Sequence, residues 1–279
     1  MRVLLSLALL AFLVPSAASA TWSIIAVDRE TGRVVIASAT CAATGPDQLK
    51  LLQAVVVPGV GVAAAQAGVD RTHANQRLIF DELGKGTDPE EIIRLLESDP
   101  EIDRRQFAIA DLQGRTTGRT GASNRDAAMD IQGVARDGIV YGVQGNIMAS
   151  EETMLEAAHL MQESDEPIID RVMLAMEKAD ELGGDGRCTC ETEPLPDGAM
   201  CTGKTSHVAY ILAADPADAL GPDVGDPPED LRAPYNDGDY HLYIAVWPDN
   251  TEPQEDANPV RTLRTRYDAW RSAQTAGSP

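Results

Sequence analysis

The residue of this sequence best suited to chemistry is Thr21, which directly follows a segment with the pattern of an export signal. A threonine hydroxyl is a poor nucleophile unless a base lies beside it. A threonine at a chain terminus supplies that base itself, because its α-amine has a pKa of about 7.7–8.0 and is largely unprotonated once it is partly desolvated. Such a residue can attack an amide or ester carbonyl, form an acyl-enzyme and be released by hydrolysis. The β-rich residues 21–27 predict that Thr21 begins a buried strand, which would hold it rigidly.

Residues 1–20 are typical of a secretory signal peptide, with Arg2 at a short basic start and an apolar run at residues 3–14. The small residues at 18–20 form a cleavage pattern. Cleavage after residue 20 leaves Thr21 first, whereas cleavage after residue 18 leaves Ser19 first, and we favour Thr21. The run is too short to span a bilayer comfortably. We therefore expect an exported chain, periplasmic or secreted, that has no membrane contact after the signal is removed.

Three consecutive polar or small residues, Gln144, Gly145 and Asn146, follow an apolar strand and precede a predicted helix. An oxyanion hole needs donors aimed at the charge that develops during the reaction. Asn146 offers a side-chain amide, and Gly145 lets a backbone N–H approach a ligand closely. We predict that Asn146 takes part in catalysis and that Gln144 and Gly145 contribute to substrate binding. The alternative is that Asn146 only caps the turn into the helix.

Gln66, Asp70 and Asp185 are further candidates for substrate binding. Gln66 ends a predicted buried strand, Asp70 lies four residues on, and Asp185 follows two glycines, where it can orient a substrate amine or an arginine. The alternative for Asp185 is a loop at the exit of a helix. Lys50 would lower the pKa of the Thr21 amine if it lay beside it, but we expect Lys50 at a solvated loop rim.

Four cysteines, Cys41, Cys188, Cys190 and Cys201, predict two disulfides in an exported chain. Cys188 and Cys190 are too close in sequence to pair comfortably, so we expect one of them to pair with Cys201 and the other with Cys41. The alternative is a zinc site built from these cysteines and His207. We favour disulfides, and we expect no metal and no cofactor.

The chain of 279 residues carries 23 Lys and Arg against 44 Asp and Glu, a formal charge of −21. This excess of acid argues against nucleic acid and against anionic membranes as partners, because both need clustered Lys and Arg. A hydrophobic content of 43% is enough for a folded core, which excludes a disordered chain. A small-molecule or peptide-like amide is the expected partner of the candidate nucleophile, and a homo-oligomer is compatible with the sequence.

The predicted elements come in alternating groups of strands and helices. Strands are predicted at residues 21–27, 33–39, 52–57, 60–65, 106–112, 116–120, 131–136, 139–143, 207–213 and 241–247, and helices at 72–83, from 89, at 151–162, 168–182 and 259–274. This order predicts an α+β fold, a pair of antiparallel sheets covered by helices on both sides. We predict one domain at 21–248 with an acidic loop at 215–239, followed by a C-terminal segment, 249–279, with a packed helix.

Several segments resemble those of the bacterial family called domain of unknown function 1028 (DUF1028), which is placed in the N-terminal-nucleophile (Ntn) hydrolase superfamily. The matching pieces are T-W-S-I-I-A-V-D-R-E-T-G at 21–32, V-V-I-A-S-A at 34–39, G-V-G-V-A-A-A-Q-A at 59–67, D-P-E-E at 88–91, V-Q-G-N-I-M at 143–148 and G-G-D-G-R at 183–187. The resemblance implies a four-layer αββα sandwich with Thr21 as nucleophile. It supplies no substrate. Compared with compact members of the family, this chain has a Cys-bearing insertion at 188–204.

Two functional hypotheses follow from these observations. The first is an exported amidohydrolase that uses the Thr21 hydroxyl as nucleophile and the Thr21 α-amine as base. The second is a secreted protein of the same fold that binds a ligand without turnover.

Overall fold

A computed structural model describes residues 21–42, 45, 47–125, 127–188, 190–191, 203–223 and 230–276 of the chain. The predicted signal peptide, Cys201, and parts of the predicted insertion and acidic loop lie outside these residues. The described part contains ten strands and six α-helices, arranged as an α+β fold with two antiparallel sheets.

The larger sheet has six strands, in the spatial order β10 (Leu242–Val246), β9 (Val208–Ala214), β2 (Val34–Thr40), β1 (Thr21–Asp28), β8 (Ile139–Asn146) and β7 (Met129–Val134). The smaller sheet has the order β3 (Ala54–Val57), β4 (Gly61–Ala67), β5 (Arg105–Asp111) and β6 (Thr116–Thr120). Both hairpins expected near the start of the chain are confirmed, because β1 pairs with β2 and β3 pairs with β4.

The helices are α1 (Gln48–Gln53), α2 (Ala74–Lys85), α3 (Pro89–Leu96), α4 (Glu152–Glu163), α5 (Ile168–Glu181) and α6 (Pro259–Ala276). Apolar side chains of α4, α5 and α6 pack on the outer face of the larger sheet. Those of α2 and α3 pack on the outer face of the smaller sheet. The two sheets face each other across a third apolar cluster, an arrangement compatible with the predicted sandwich. None of the helices in the described ranges is long and apolar enough to cross a membrane.

Strand β1 is buried on both faces, which explains its nearly continuous apolar sequence. Because side chains alternate along a strand, Trp22 and Ile24 point to the helices, whereas Ile25 packs between the sheets. Thr21 lies on the same face as Ile25. The first residue of the strand is therefore directed into the space between the two sheets, at one end of the sandwich.

Two local differences from the predicted elements have identifiable causes. Residues 48–53 form α1, whereas the sequence placed a strand start at residue 52. Helix α2 continues past Gly84 and ends at Gly86, which has a φ of 78° and donates its N–H to the last turn. Glycine adopts this left-handed conformation without a steric penalty, so the second glycine and not the first ends the helix.

Candidate functional site

Thr21 lies in a row of three polar residues at the end of the larger sheet. In the strand register it faces Thr40 of β2 on one side and Asn146 of β8 on the other. The backbone nitrogen of Thr21 donates to Oδ1 of Asn146 at 3.1 Å. The Thr21 hydroxyl donates to Oγ1 of Thr40 at 3.2 Å. The Thr21 hydroxyl, which is the candidate nucleophile, and the Thr21 nitrogen, which is the candidate base, therefore each have a defined hydrogen-bond partner. Thr21, Thr40 and Asn146 are all buried.

Gln66 of the smaller sheet holds the backbone of the candidate nucleophile from across the sandwich. Its Nε2 donates to the carbonyl oxygen of Thr21 at 3.1 Å and to Oε1 of Gln106 at 2.7 Å. Its Oε1 accepts from the Ser23 hydroxyl at 2.7 Å and from Nε2 of Gln53 at 2.8 Å. The Gln66 amide is thus fully used in hydrogen bonds within the protein, which indicates that it positions β1.

The other glutamines extend this buried polar layer. Nε2 of Gln106 donates to the carbonyl oxygen of Gly145 at 2.9 Å, and Nε2 of Gln144 donates to the Ser23 hydroxyl at 3.2 Å. The Tyr210 hydroxyl donates to Oε1 of Gln53 at 2.9 Å, and burial raises the pKa of Tyr210 well above its ordinary value. Hydrogen bonds among buried polar groups rigidify a core and specify one arrangement, so this layer fixes how the two sheets dock beside Thr21.

A cavity of about 640 Å³ opens next to this layer. Thr21, Asn146, Gln66 and Gln53 line it together with other residues of α1 and with loop residues that precede β5 or follow β2, β4, β6 and β8. Two non-glycine residues of its wall, Ala67 and Ile147, have positive φ values of 69° and 57°. Non-glycine residues in this conformation store strain and tend to occur at functional sites. The cavity size is in the range that suits a small-molecule ligand.

Gln144 and Gly145 are predicted substrate-binding residues that lie outside the cavity wall. A β-carbon on Gly145 would come within 2.6 Å of Sδ of Met154. The glycine therefore allows close packing of β8 against α4, and its position does not indicate an approach to ligand. Gln144 bridges the two sheets through the carbonyl oxygen of Ala64, at 3.2 Å.

Asp70 also lies outside the 640 Å³ cavity. Its carboxylate accepts from the backbone N–H of Thr72 at 2.9 Å and of Asn75 at 3.1 Å, so it organises the start of α2. Burial opposes ionisation of Asp70, but hydrogen bonds from Thr72 and Asn75 and the charge of Arg105 outweigh burial and lower its pKa.

Asp185 is fully buried and holds the loop of residues 183–187 against the end of β2. Its Oδ2 accepts from the backbone N–H of Cys41 at 2.9 Å and from Nη2 of Arg187 at 2.7 Å. Gly184 lies so close to the Trp22 ring that a β-carbon would come within 2.8 Å of it. In this arrangement Asp185 orients an arginine, as the sequence suggested. It also holds the backbone of Cys41, the residue that follows Thr40, and it does not line the cavity.

Cys41 and Cys188 form a disulfide that links the end of β2 to the same loop. This agrees with the expectation that Cys41 pairs with one cysteine of the Cys-x-Cys segment. Cys190 is disulfide-bonded as well, and Cys201 lies outside the described residues. Because Cys188 and Cys190 are oxidised, they offer no thiolate to zinc, and the zinc alternative is not supported. No group of three or more metal-binding side chains occurs within the ranges that the structure describes.

Lys50 is buried, so its predicted place at a solvated rim was wrong. Its Nζ lies 3.4 Å from Oδ1 of Asp237 and 4.4 Å from the centre of the Tyr243 ring. These two contacts offset the free-energy cost of removing the ammonium group from water. They also direct it towards the acidic loop and not towards Thr21.

Sequence reasoning missed several members of the site, including Thr40, Ser23, Gln53 and Gln106. A signal for some of them was present. Polar residues two positions apart occur at the same end of three otherwise apolar strands, as Thr21 and Ser23, Ser38 and Thr40, and Gln144 and Asn146. Residues two apart share a face of a strand, so these pairs indicate a polar layer inside the sandwich.

The comparisons with known proteins agree with the architecture. Residues 21–192 match the family described as "Family of unknown function (DUF1028)". The crystal structure of protein SPO2555 from Silicibacter pomeroyi, which carries the same family designation, is similar with a TM-score of 0.62 and 19% sequence identity, covering 90% of this chain and 88% of that chain. At this identity the likeness shows the fold alone. No curated protein matches the chain.

Proposed function

This chain belongs to the DUF1028 family, whose function is unknown, and we propose that it is an exported amidohydrolase of the Ntn type with Thr21 as nucleophile. The observation that carries the proposal is the hydrogen bond from the Thr21 nitrogen to Asn146 beside the cavity. The family match begins at Thr21, which supports a mature chain that starts at this residue.

In the proposed reaction, Oγ1 of Thr21 attacks the carbonyl carbon of an amide while the free α-amine takes the hydroxyl proton. The C–N bond then breaks, and the leaving amine takes that proton. Water hydrolyses the remaining ester on Thr21, which releases the carboxylic acid and restores the hydroxyl. The hydroxyl of Thr40, 3.2 Å from Oγ1, helps to orient the nucleophile before attack.

Asn146 is assigned two tasks in this reaction. Its Oδ1 accepts from the Thr21 nitrogen at 3.1 Å, which orients the amine so that its lone pair is directed away from Asn146. Its Nδ2 is the donor assigned to the oxyanion that forms on attack. Gln66 keeps the backbone of Thr21 in place and is a positioning residue in this scheme.

Export is the second part of the proposal, and the disulfides support it. Disulfides persist in oxidising compartments and are rare in the cytosol of most organisms. The bond between Cys41 and Cys188, and the oxidised state of Cys190, fit a periplasmic or secreted protein. The two facing antiparallel sheets with helices on both outer faces support the αββα sandwich expected of the Ntn superfamily.

The proposal is tested with the exported protein, its N-terminal sequence, a panel of chromogenic amides and a β-lactone that acylates N-terminal threonine. We expect the chain to begin at Thr21, the lactone to add its mass to the first peptide, and Thr21→Ala to remove both turnover and labelling. Thr21→Ser should retain both. Thr265→Ala, which removes an exposed threonine hydroxyl from α6, is the matched control and should behave as the wild type.

A chain that begins elsewhere, or turnover that survives Thr21→Ala, would overturn the proposal. A ligand that binds equally to the wild type and to Thr21→Ala, with no amide hydrolysed, would favour the secreted binding protein.

A further inference from the structure

The wall of the cavity is basic although the chain as a whole is strongly acidic. Of the cavity-lining residues, four are arginines, Arg71, Arg104, Arg105 and Arg125, and one is an acid, Glu101. The formal charge of the chain is −21. The concentration of positive charge beside Thr21 is therefore a local feature that composition alone does not explain.

Two of these arginines are neutralised by neighbours. Arg104 pairs with Glu101 at 3.0 Å, and Arg105 pairs with Asp99 at 2.8 Å. The guanidinium of Arg105 also donates to the carbonyl oxygen of Gly68, in the loop that follows β4. Arg104 and Arg105 thus stabilise one wall of the cavity, and because each is paired with an acid they add little net charge for a ligand to interact with.

Arg71 and Arg125 are different. Within the part of the chain that the structure describes, neither guanidinium has an ion pair or a hydrogen bond, and both residues are exposed. They come from separate loops, one after β4 and the other between β6 and β7. The carbonyl oxygen of Arg125 accepts from the backbone N–H of Ile147, at 3.3 Å, so the Arg125 loop is attached to the residue that follows Asn146.

We propose that the amide substrate carries a carboxylate, which the guanidinium groups of Arg71 and Arg125 bind while the amide carbonyl lies at Thr21. A guanidinium matches a carboxylate in geometry and charge. The apolar side chains of Leu49, Leu52 and Val69 in the same cavity provide contacts for the uncharged part of the substrate. N-acylated amino acids and half-amides of dicarboxylic acids are compounds of this class. The assignment of this ligand as a substrate rests on the proposed function.

The test uses two probes that differ only in the charged group, N-benzoylglycine and its uncharged amide N-benzoylglycinamide. Binding to the purified Thr21→Ala protein is measured by calorimetry in low and high salt, so that turnover is not needed. We expect N-benzoylglycine to bind at least roughly 10-fold more tightly than the amide, since hydrogen bonds between a guanidinium and a carboxylate are charge-assisted on both sides. The preference should decrease in high salt, because the two arginines are exposed.

Arg71→Gln and Arg125→Gln, separately and together, should reduce the preference, and the double variant should abolish it. Arg136→Gln is the matched control, because Arg136 is an exposed arginine in the turn that precedes β8, at the far end of that strand from Thr21. Equal binding of the two probes, no binding of either, or a preference that survives the double variant would overturn the inference.

The two proposals fail separately. A carboxylate preference without hydrolysis of any amide would refute the nucleophile and leave the anion site in place. Hydrolysis at Thr21 that is indifferent to a carboxylate on the substrate would refute only the anion site.

Discussion

The backbone nitrogen of Thr21 and Oδ1 of Asn146 are 3.1 Å apart, although the two residues are separated by 125 positions in the chain. They meet because β1 and β8 are antiparallel neighbours with Thr21 directly opposite Asn146. The strand register therefore positions the Thr21 amine, the candidate base, beside Asn146. Substitutions at residue 146 should consequently alter the pKa of this amine.

Replacing Asn146 by Asp should lower kcat, because it removes the Nδ2 donor assigned to the oxyanion, and should shift the pH dependence of the activity that remains. A carboxylate beside the Thr21 amine favours the protonated amine, so the pKa of the amine rises by roughly one unit and the acidic limb of kcat/KM moves to higher pH. Gln48→Glu adds a carboxylate to the same cavity on α1, and not at a strand position opposite Thr21, so it should shift the limb less. Identical pH profiles for N146D and the wild type would show that the contact between the two residues does not govern the base.

Replacing Gln66 by Leu should strongly destabilise the fold. The variant leaves Gln106, Ser23, Gln53 and the carbonyl oxygen of Thr21 without the partner that Gln66 provides. We expect a loss of roughly 3 kcal/mol or more in the free energy of unfolding, at about 1–3 kcal/mol for each buried group left unpaired. Urea denaturation measures this loss, with the exposed Gln113→Leu as control. A loss below about 1 kcal/mol would contradict the positioning role.

Stability should depend on His207 in mildly acidic solution. Burial, together with the positive charge of Lys204, lowers the pKa of His207 to about 4, against the attraction of Asp185. The unfolded chain binds this proton at the ordinary pKa of about 6.5. The contribution of the neutral, buried His207 to the free energy of unfolding is therefore fully present above pH 6.5. That contribution decreases as the pH falls from there towards 4.

His207→Gln should flatten the stability profile between pH 6.5 and about 4.5, and the exposed His159→Gln should leave it unchanged. The carboxylates with lowered pKa values, such as Asp70 and Asp99, titrate below this window. Urea midpoints taken at half-unit intervals of pH provide the measurement. If both variants retain the wild-type slope, the histidine does not set the acid sensitivity.

Removing the disulfide between Cys41 and Cys188 should destabilise the protein by roughly 2–4 kcal/mol, because the bond closes a long loop in the unfolded chain. Both cysteines are replaced by serine, since a single Cys188 thiol can exchange with the disulfide at Cys190. Thermal unfolding under non-reducing conditions compares the variant with the wild type. Alkylation of native Cys41 by a thiol reagent would show instead that the bond does not form in solution.

Much of the fold follows from local sequence patterns. The hairpin signals at the start of the chain, the Asp88-Pro89 helix start and the apolar strands predicted the kind and order of nearly all elements, because periodicity and capping act over a few residues. Thr21 could be singled out for the same reason, since both the cleavage pattern before it and the β-rich segment after it are local. Helix α1 was missed, because six residues are too few for a clear helical period.

The site itself was decided by tertiary structure. Thr21, Asn146 and Gln66 come together only when two strands of one sheet and a strand of the other have docked in register. The same docking places Arg71 and Arg125, from loops far apart in sequence, on one cavity, and turns Asp185 towards Cys41. No local sequence pattern predicts these contacts, because they depend on how buried surfaces from distant segments pack together. The sequence by itself determined the candidate nucleophile, and packing between the sheets decided its neighbours.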